Sequence, residues 1–138
     1  MNNEDIKLLL MDLSARLTYG VKIQKINEPE SAYRLYSIDT NSGELKFVTF
    51  EGSSLTTCNG GYLARVGKLR FKPYLRPMSS MTEEERLLFY QNTLQYNEET
   101  GYSEYTYESI DWLNAHHFDV RHLIEKGLAI DCTNLNIY

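Results

Sequence analysis

The stretch YRLYSIDTNSGELKFVTF, residues 33–50, decides the fold. Two runs with a period of two, 33–38 and 45–50, flank the segment 39–43, which is rich in turn-forming residues. A period of two is typical of strands with one buried face, and a turn of this composition joins antiparallel neighbours. The sequence therefore predicts a β-hairpin here.

Further strand signals lie on both sides of this hairpin. Residues 21–26 alternate apart from one slip, and the Asn-Gly-Gly turn at 59–61 precedes two short runs at 62–66 and 68–74. Short strands in this meander order predict a small five-stranded antiparallel barrel or a strongly bent sheet. With a helix in front, the layout resembles SH3-type and Sm-like barrels, an analogy of arrangement alone.

Helices are predicted before and after the strands. Residues 4–17 carry apolar side chains at helical spacing and begin with two acids, which the helix dipole favours. Capping-box patterns at Ser80 and Thr82 begin a second helix that we expect to run to about residue 96. The apolar residues that this helix is expected to bury on one side are Leu87, Leu88, Tyr90 or Leu94.

The last third is predicted to be helical apart from one loop. We expect a loop at 97–106, a third helix at about 107–116 and a short fourth helix at 120–126. Asp119 is placed to cap the fourth helix, and Gly127 to end it. The predicted fold is thus one α+β domain over 1–138, with a helix and barrel-like part at 1–78 and a helical part at 79–138.

Composition places the chain among ordinary globular proteins. It has 138 residues, 42% hydrophobic and 24% charged, with a net charge of −5. No apolar run exceeds four residues, as at 8–11, which excludes a transmembrane helix and a secretory signal. Cys58 and Cys132 form neither a disulfide framework nor a zinc pattern, so we expect reduced thiols, a cytoplasmic location and no membrane partner.

Charge is strongly segregated along the chain. Residues 1–78 hold 11 basic and 8 acidic residues, and residues 79–138 hold 3 basic and 11 acidic ones. A basic face of this kind can track phosphates, with Tyr62 or Tyr74 stacking on a base. The alternative is a solvated face neutralised by the acidic helices of the same chain. The candidate nucleic-acid-binding residues are Arg65, Lys68, Arg70, Lys72 and Arg76.

A second candidate surface is rich in tyrosine. Tyr102, Tyr105 and Tyr107 lie in an acidic segment, and Trp112 follows on the predicted third helix. Tyrosine and tryptophan supply large contact areas at low entropic cost, so these four residues suit a protein-binding surface. The alternative is a loop folded back over the sheet.

The histidines suggest a third candidate site. His116, His117 and Asp119 lie together in the sequence, with His122 close by, and could form a metal or acid–base site. However, the spacing matches no HxxxH, HExxH or CxxC pattern, and histidines at a helix C-terminus also complement the dipole. Because nucleophile and phosphate-loop motifs are missing too, the sequence assigns no catalytic residue, metal or cofactor.

The motif IDWLNAHHFDVRHLIEKGLAID (110–131), ending in LNIY (135–138), resembles a family of small uncharacterised proteins from gut anaerobic bacteria and their phages. The segments LLLMDLSARL (8–17) and KPYLRPMSSMTEEE (72–85) are similar to it too. The chain departs from the family pattern at His122, where a small residue such as glycine is expected. The resemblance implies a cytoplasmic accessory factor associated with a phage or mobile element.

The expected function is therefore a non-catalytic accessory module that recognises a protein partner. A nucleic-acid-binding barrel that uses the 65–76 segment is the alternative, and a metal-dependent enzyme at the histidine corner is the third hypothesis. The sequence leaves the identity of the partner and the oligomeric state open.

Overall fold

The computed structural model describes residues 2–51, 54–92, 94–97, 102–105 and 107–138, with the backbone alone described at 49–51, 54–59, 91–92, 94–97 and 102–105. The fold is α+β, as predicted. Its helices are α1 (Asn3–Arg16), α2 (Glu83–Asn92) and α3 (Tyr107–Ala115). Its strands are β1 (Lys22–Lys25), β2 (Tyr33–Ile38), β3 (Glu44–Glu51), β4 (Ser54–Tyr62), β5 (Ala64–Arg65), β6 (Lys68–Leu69), β7 (Phe71–Leu75), β8 (Leu94–Asn97), β9 (Tyr102–Tyr105) and β10 (Ile130–Asp131).

The main sheet is mixed and open, so the predicted five-stranded antiparallel barrel is wrong. Six strands lie in the order β10-β7-β1-β2-β3-β4, and β10 runs parallel to β7 while the other neighbours are antiparallel. A barrel closes only when its two edge strands pair with each other. Here Ile130 and Asp131 pair with Tyr74 and Leu75, so β10 occupies the edge of β7 that closure would need.

Helix α1 forms where the sequence predicts it and covers the sheet. Asn2 caps it, since the Asp5 amide donates to Asn2 Oδ1 at 2.8 Å in a capping box. Leu9 and Leu13 are fully buried in a core that includes residues from the strands and from the 123–129 segment. The core members are Leu9, Leu13, Val21, Ile23, Leu35, Leu45, Phe47, Leu63, Phe71, Leu75, Leu123, Leu128 and Ala129.

Gly60 lies directly against an aromatic ring of the core. The Phe47 ring on β3 stacks on Tyr33 at 4.8 Å and meets the edge of Phe71 at 5.4 Å, measured between ring centroids. A Cβ atom added at Gly60 would overlap the Phe47 ring. Only glycine therefore fits at this position of β4 without moving an aromatic ring of the core.

Helix α2 buries a different face from the one predicted. Leu87, Leu88 and Tyr90 are 58%, 51% and 57% exposed, whereas Phe89 is 3% exposed in a second cluster with Leu113 and Phe118. The buried face also carries Glu85, one turn before Phe89, and the bidentate ion pair between Glu85 and Arg76 holds that face inward. The buried face of α2 is thus the one that also forms an ion pair with a residue outside the helix. Leu94 begins β8, and its side chain lies outside the described residues.

Two other elements differ from the prediction. The expected loop at 97–106 contributes to a hairpin, in which β8 pairs with β9 from Leu94–Tyr105 to Asn97–Tyr102. The expected fourth helix is a series of turns, although Asp119 accepts hydrogen bonds from the Leu123 and Ile124 amides at 2.8 and 2.9 Å. The helix cannot form through residue 122 because His122 has a left-handed φ of 58°.

Candidate functional site

Four of the five predicted basic residues lie near one another on and beside the β5–β6 hairpin and β7. Arg65, Lys68 and Arg70 are exposed and Lys72 is half-buried. Among the residues that the structure describes, none of these four forms an ion pair. Within these described residues, the four side chains are therefore not neutralised by a direct ion pair.

Arg76 is separate from this basic surface. Its Nη1 and Nη2 atoms donate to Glu85 Oε2 and Oε1 at 2.8 and 2.6 Å, and its guanidinium lies 4.2 Å from the centroid of the Phe118 ring. The hydrogen bonds from Arg76 lower the pKa of the Glu85 carboxyl to about 2, with a contribution from the Thr82 amide. Arg76 thus fastens α2 to the sheet.

The two tyrosines proposed to stack on bases differ in solvent exposure. Tyr74 is 2% exposed and its hydroxyl donates to the Ser31 carbonyl at 2.5 Å, so its ring cannot stack on a base. Tyr62 is 47% exposed at the end of β4. Only Tyr62 therefore fits the stacking role.

The three histidine-corner candidates are each engaged elsewhere. The His116 ring stacks on Trp112 at 4.0 Å and the His117 ring stacks on Tyr138 at 3.5 Å. Both Asp119 carboxylate oxygens accept backbone amides. Within the described ranges, no group of three histidine, cysteine, aspartate or glutamate side chains is placed to hold a metal ion.

The sequence reasoning missed a fully buried ion pair on α1. Arg16 and Asp12 are both 0% exposed, with Arg16 Nε 2.8 Å from Asp12 Oδ2. Arg16 Nη2 also donates to the Phe118 carbonyl at 2.6 Å, and Arg121 Nε approaches Asp12 Oδ1 to 3.5 Å. The sequence does contain a signal for this burial. Leu9, Asp12, Leu13 and Arg16 lie at i, i+3, i+4 and i+7, so the two charged residues share the helix face of the two leucines.

A cleft of about 380 Å³ lies between the start of α2 and the chain segment after β10. The Tyr138 hydroxyl accepts the Lys22 amide at 2.8 Å and donates to the Tyr74 carbonyl at 2.9 Å, which fastens this segment to β1 and β7. Burial raises the pKa of the Cys132 thiol, which lines the cleft, so this side chain is not an activated nucleophile. The lining residues include Arg76, Ser80, Thr82, Cys132, Thr133 and Tyr138.

The structure describes the side chains of two of the four residues of the predicted tyrosine-rich surface. Tyr107 is 90% exposed at the start of α3. Trp112 is partly buried, with its ring 5.4 Å from Phe89. Tyr102 and Tyr105 lie on β9, and their side chains are outside the described residues.

A separate apolar surface is exposed on α2. We define the outer α2 face as Leu87, Leu88 and Tyr90, which the sequence analysis had expected in the core. Each of these three side chains is more than half exposed. Glu83 and Glu84 at the start of the helix are exposed as well, so the face is both apolar and acidic.

His117 has the most unusual environment of the three corner candidates. Burial, together with the positive charges of nearby groups, lowers the pKa of His117 to about 4. The ring faces Tyr138, whose own hydroxyl pKa is raised by burial. The charged or titratable groups that act on His117 are Arg16 of α1, His116, Arg76 and Lys22 of β1.

We expect this shift to make the protein acid-sensitive above pH 4. The unfolded chain binds a proton at His117 below about pH 6.5, while the folded chain does so only near pH 4, so stability falls as the pH drops through that interval. The free energy of unfolding should decrease by about 1–2 kcal/mol between pH 7.5 and 4.5, after discounting for partial solvent screening. Urea titrations monitored by circular dichroism at each pH measure this change.

The control for this prediction is replacement of the titrating group itself. His117→Asn should flatten the pH dependence in this interval. The lowered pKa of Glu85 acts in a lower window, because its contribution is lost as the pH falls from about 4.5 towards 2. An equal slope in the His117→Asn variant and the wild type would contradict the assignment.

Comparison with known proteins gives no match to a family model, a curated protein or a solved structure. In the described part of the chain, no helix is long and apolar enough to cross a membrane. The function must therefore be argued from the surfaces described above.

Proposed function

We propose that this chain is a non-catalytic accessory module that binds a partner protein on the outer α2 face. The resemblance to small proteins of gut anaerobes and their phages adds a phage- or mobile-element-associated role in the cytoplasm to the proposal. The proposed partner presents a basic and apolar segment to this face.

The exposure of the outer α2 face is the observation that carries the proposal. Leu87 and Tyr90 are one helical turn apart, and they are 58% and 57% exposed. Clustered large apolar side chains in water are unfavourable, and proteins that keep them commonly use them for binding. Tyr107, which is 90% exposed at the start of α3, adds an aromatic side chain to this part of the chain.

The charge around this face selects the class of partner. Residues 79–138 hold 11 acidic and only 3 basic residues, and Glu83, Glu84 and Glu108 are exposed. Acidic groups at the rim of an apolar patch attract basic partners and repel acidic ones. A lysine- or arginine-rich segment with apolar anchors therefore fits best.

Site-specific photocrosslinking identifies the partner. A benzophenone amino acid at Tyr90 should capture one protein in the source cell, whereas the same probe at Met11 should not. Met11 is a matched control because it is also an exposed apolar residue on a helix, at 58%. Equal capture from both positions, or capture of a second copy of this chain alone, would contradict a partner on the outer α2 face.

Charge introduction then tests the affinity for the captured partner. We expect Leu87→Lys combined with Tyr90→Lys to weaken the Kd at least about 30-fold, because two apolar anchors are lost and the new positive charges repel the basic partner. Isothermal titration with the purified partner measures the Kd, and Met11→Lys should leave it unchanged. A Kd that survives the double substitution would overturn the proposal.

The basic surface supports a second candidate function, nucleic-acid binding. The observation that favours it is that Arg65, Lys68 and Arg70 are exposed and unpaired among the described residues. If three cations contact phosphates of a single strand, affinity should fall about 100-fold for a tenfold rise in salt.

Fluorescence anisotropy with labelled single- and double-stranded probes tests this candidate. Reversal of Lys68, Arg70 and Lys72 to glutamate should abolish binding at low salt, while Lys126→Glu, an exposed site in the acidic part, should not. Wild-type protein that fails to bind either probe at low ionic strength would remove nucleic acid as a ligand.

A further inference from the structure

Three buried polar atoms in the described part of the chain have no hydrogen-bond partner. They are Arg16 Nη1, Asn114 Oδ1 and His117 Nδ1. Arg16 is 0% and Asn114 4% exposed, so bulk water does not satisfy them. Native proteins rarely leave such groups without a partner, because a buried polar atom that loses its hydration is unfavourable.

The three residues belong to one junction, where the end of α1 meets the end of α3. Arg16 Nη2 donates to the carbonyl of Phe118, the residue after His117, at 2.6 Å. The His117 amide donates to the Asn114 carbonyl at 3.1 Å. The charge of Arg16 also acts directly on the imidazole of His117.

We infer that Arg16, Asn114 and His117 form a binding site for one internal water molecule. The water oxygen accepts a hydrogen bond from Arg16 Nη1. Its two O–H groups donate hydrogen bonds to Asn114 Oδ1 and His117 Nδ1. A guanidinium can only donate, and an amide oxygen can only accept, so one donor and two acceptors match the bonding capacity of a water molecule. An anion does not fit, because both acceptor atoms would face it.

This arrangement determines where the proton of His117 resides. If Nδ1 accepts a hydrogen bond from water, the neutral ring carries its proton on Nε2. His116 has the opposite requirement, because its Nδ1 lies 2.8 Å from the Trp112 carbonyl, which can only accept. Two adjacent histidines are therefore expected to be opposite tautomers, and His116 serves as an internal reference.

Long-range ¹H–¹⁵N correlation spectra of the wild-type protein at pH 7.5 test the tautomers. The expected result is a pyridine-type shift for Nδ1 of His117 and a pyrrole-type shift for Nδ1 of His116. A pyrrole-type Nδ1 in His117 would overturn the inference, because that nitrogen could not accept a hydrogen bond from water. This measurement needs no substitution and so does not depend on the folding of a variant.

Magnetic relaxation dispersion of water ¹⁷O and ²H tests the bound molecule itself. The wild type should show a contribution from long-lived internal water, and Asn114→Leu should lose the equivalent of one molecule. Asn134→Leu, at an exposed site, is the control and should retain it. Equal dispersion amplitudes in the wild type and the folded Asn114→Leu variant would overturn the site, as would no long-lived water in the wild type.

Discussion

Replacing Asp12 by alanine is expected to lower the free energy of unfolding by about 3–5 kcal/mol. Arg16 is 0% exposed, and Asp12 is the carboxylate that its Nε and Nη2 atoms contact at 2.8 and 3.2 Å. Removing Asp12 leaves a buried guanidinium without a counter-charge, and it also removes the acid near Arg121. Urea unfolding at pH 7.5 monitored by circular dichroism measures the change.

Two further variants separate this effect from a general loss of helix stability. Glu4→Ala removes another acid from α1 and should change the free energy of unfolding by less than about 0.5 kcal/mol, since Glu4 is exposed. Asp12→Leu with Arg16→Met replaces the pair by apolar groups and should recover most of the loss. A cost for Asp12→Ala below about 1 kcal/mol would show that Arg16 finds another counter-charge or reaches water.

The second large effect is expected at Gly60. Gly60→Ala should destabilise the protein by about 2–3 kcal/mol, because the new Cβ overlaps the Phe47 ring and the core must shift. Phe47 cannot move freely, since its ring lies against both Tyr33 and Phe71. Thermal and urea unfolding of the variant both measure the loss.

A double-mutant cycle tests the cause. Phe47→Leu alone should be destabilising through the lost ring contacts, but adding Gly60→Ala to it should cost far less than in the wild type, because the overlapping ring is gone. If the two costs simply add, Gly60→Ala acts through the strand backbone and not through Phe47.

The features that follow from local sequence were predictable. Helix α1 begins beside a capping residue and carries apolar residues at helical spacing, and the expected 4–17 range differs by one residue from Asn3–Arg16. The hairpin of β2 and β3 around the 39–43 turn also formed as expected, with Ile38 opposite Leu45. Such signals involve residues close in the chain, so a single sequence contains them.

The features that depend on distant residues were not predictable in this way. The sheet stays open because β10 pairs with β7, which lies more than 50 residues earlier in the chain. No local sequence pattern predicts a pairing over that separation. The face that α2 buries depends on Glu85 meeting Arg76. Leu87, Leu88 and Tyr90, which periodicity alone assigns to the core, are therefore exposed as the outer α2 face.

The buried pair on α1 shows a different limit. Charged residues in a helix ordinarily indicate its solvent face. Charge alone therefore assigns Asp12 and Arg16 to solvent, although they share a helix face with Leu9 and Leu13. What satisfies Arg16 is partly the Phe118 carbonyl, 102 residues away in the sequence. The sequence displays the pair but not the acceptor that makes its burial tolerable.

The pairing of β7 with β10 also has a consequence for synthesis on the ribosome. When residues 1–78 have left the exit tunnel, β7 has one unpaired edge, and the core still lacks Leu123, Leu128 and Ala129. Open strand edges and uncovered apolar side chains favour aggregation of nascent chains. The sheet can be completed only after residues 123–131 emerge, so folding of this domain cannot finish before that segment has left the tunnel, and until then the growing chain keeps an open edge and an uncovered core.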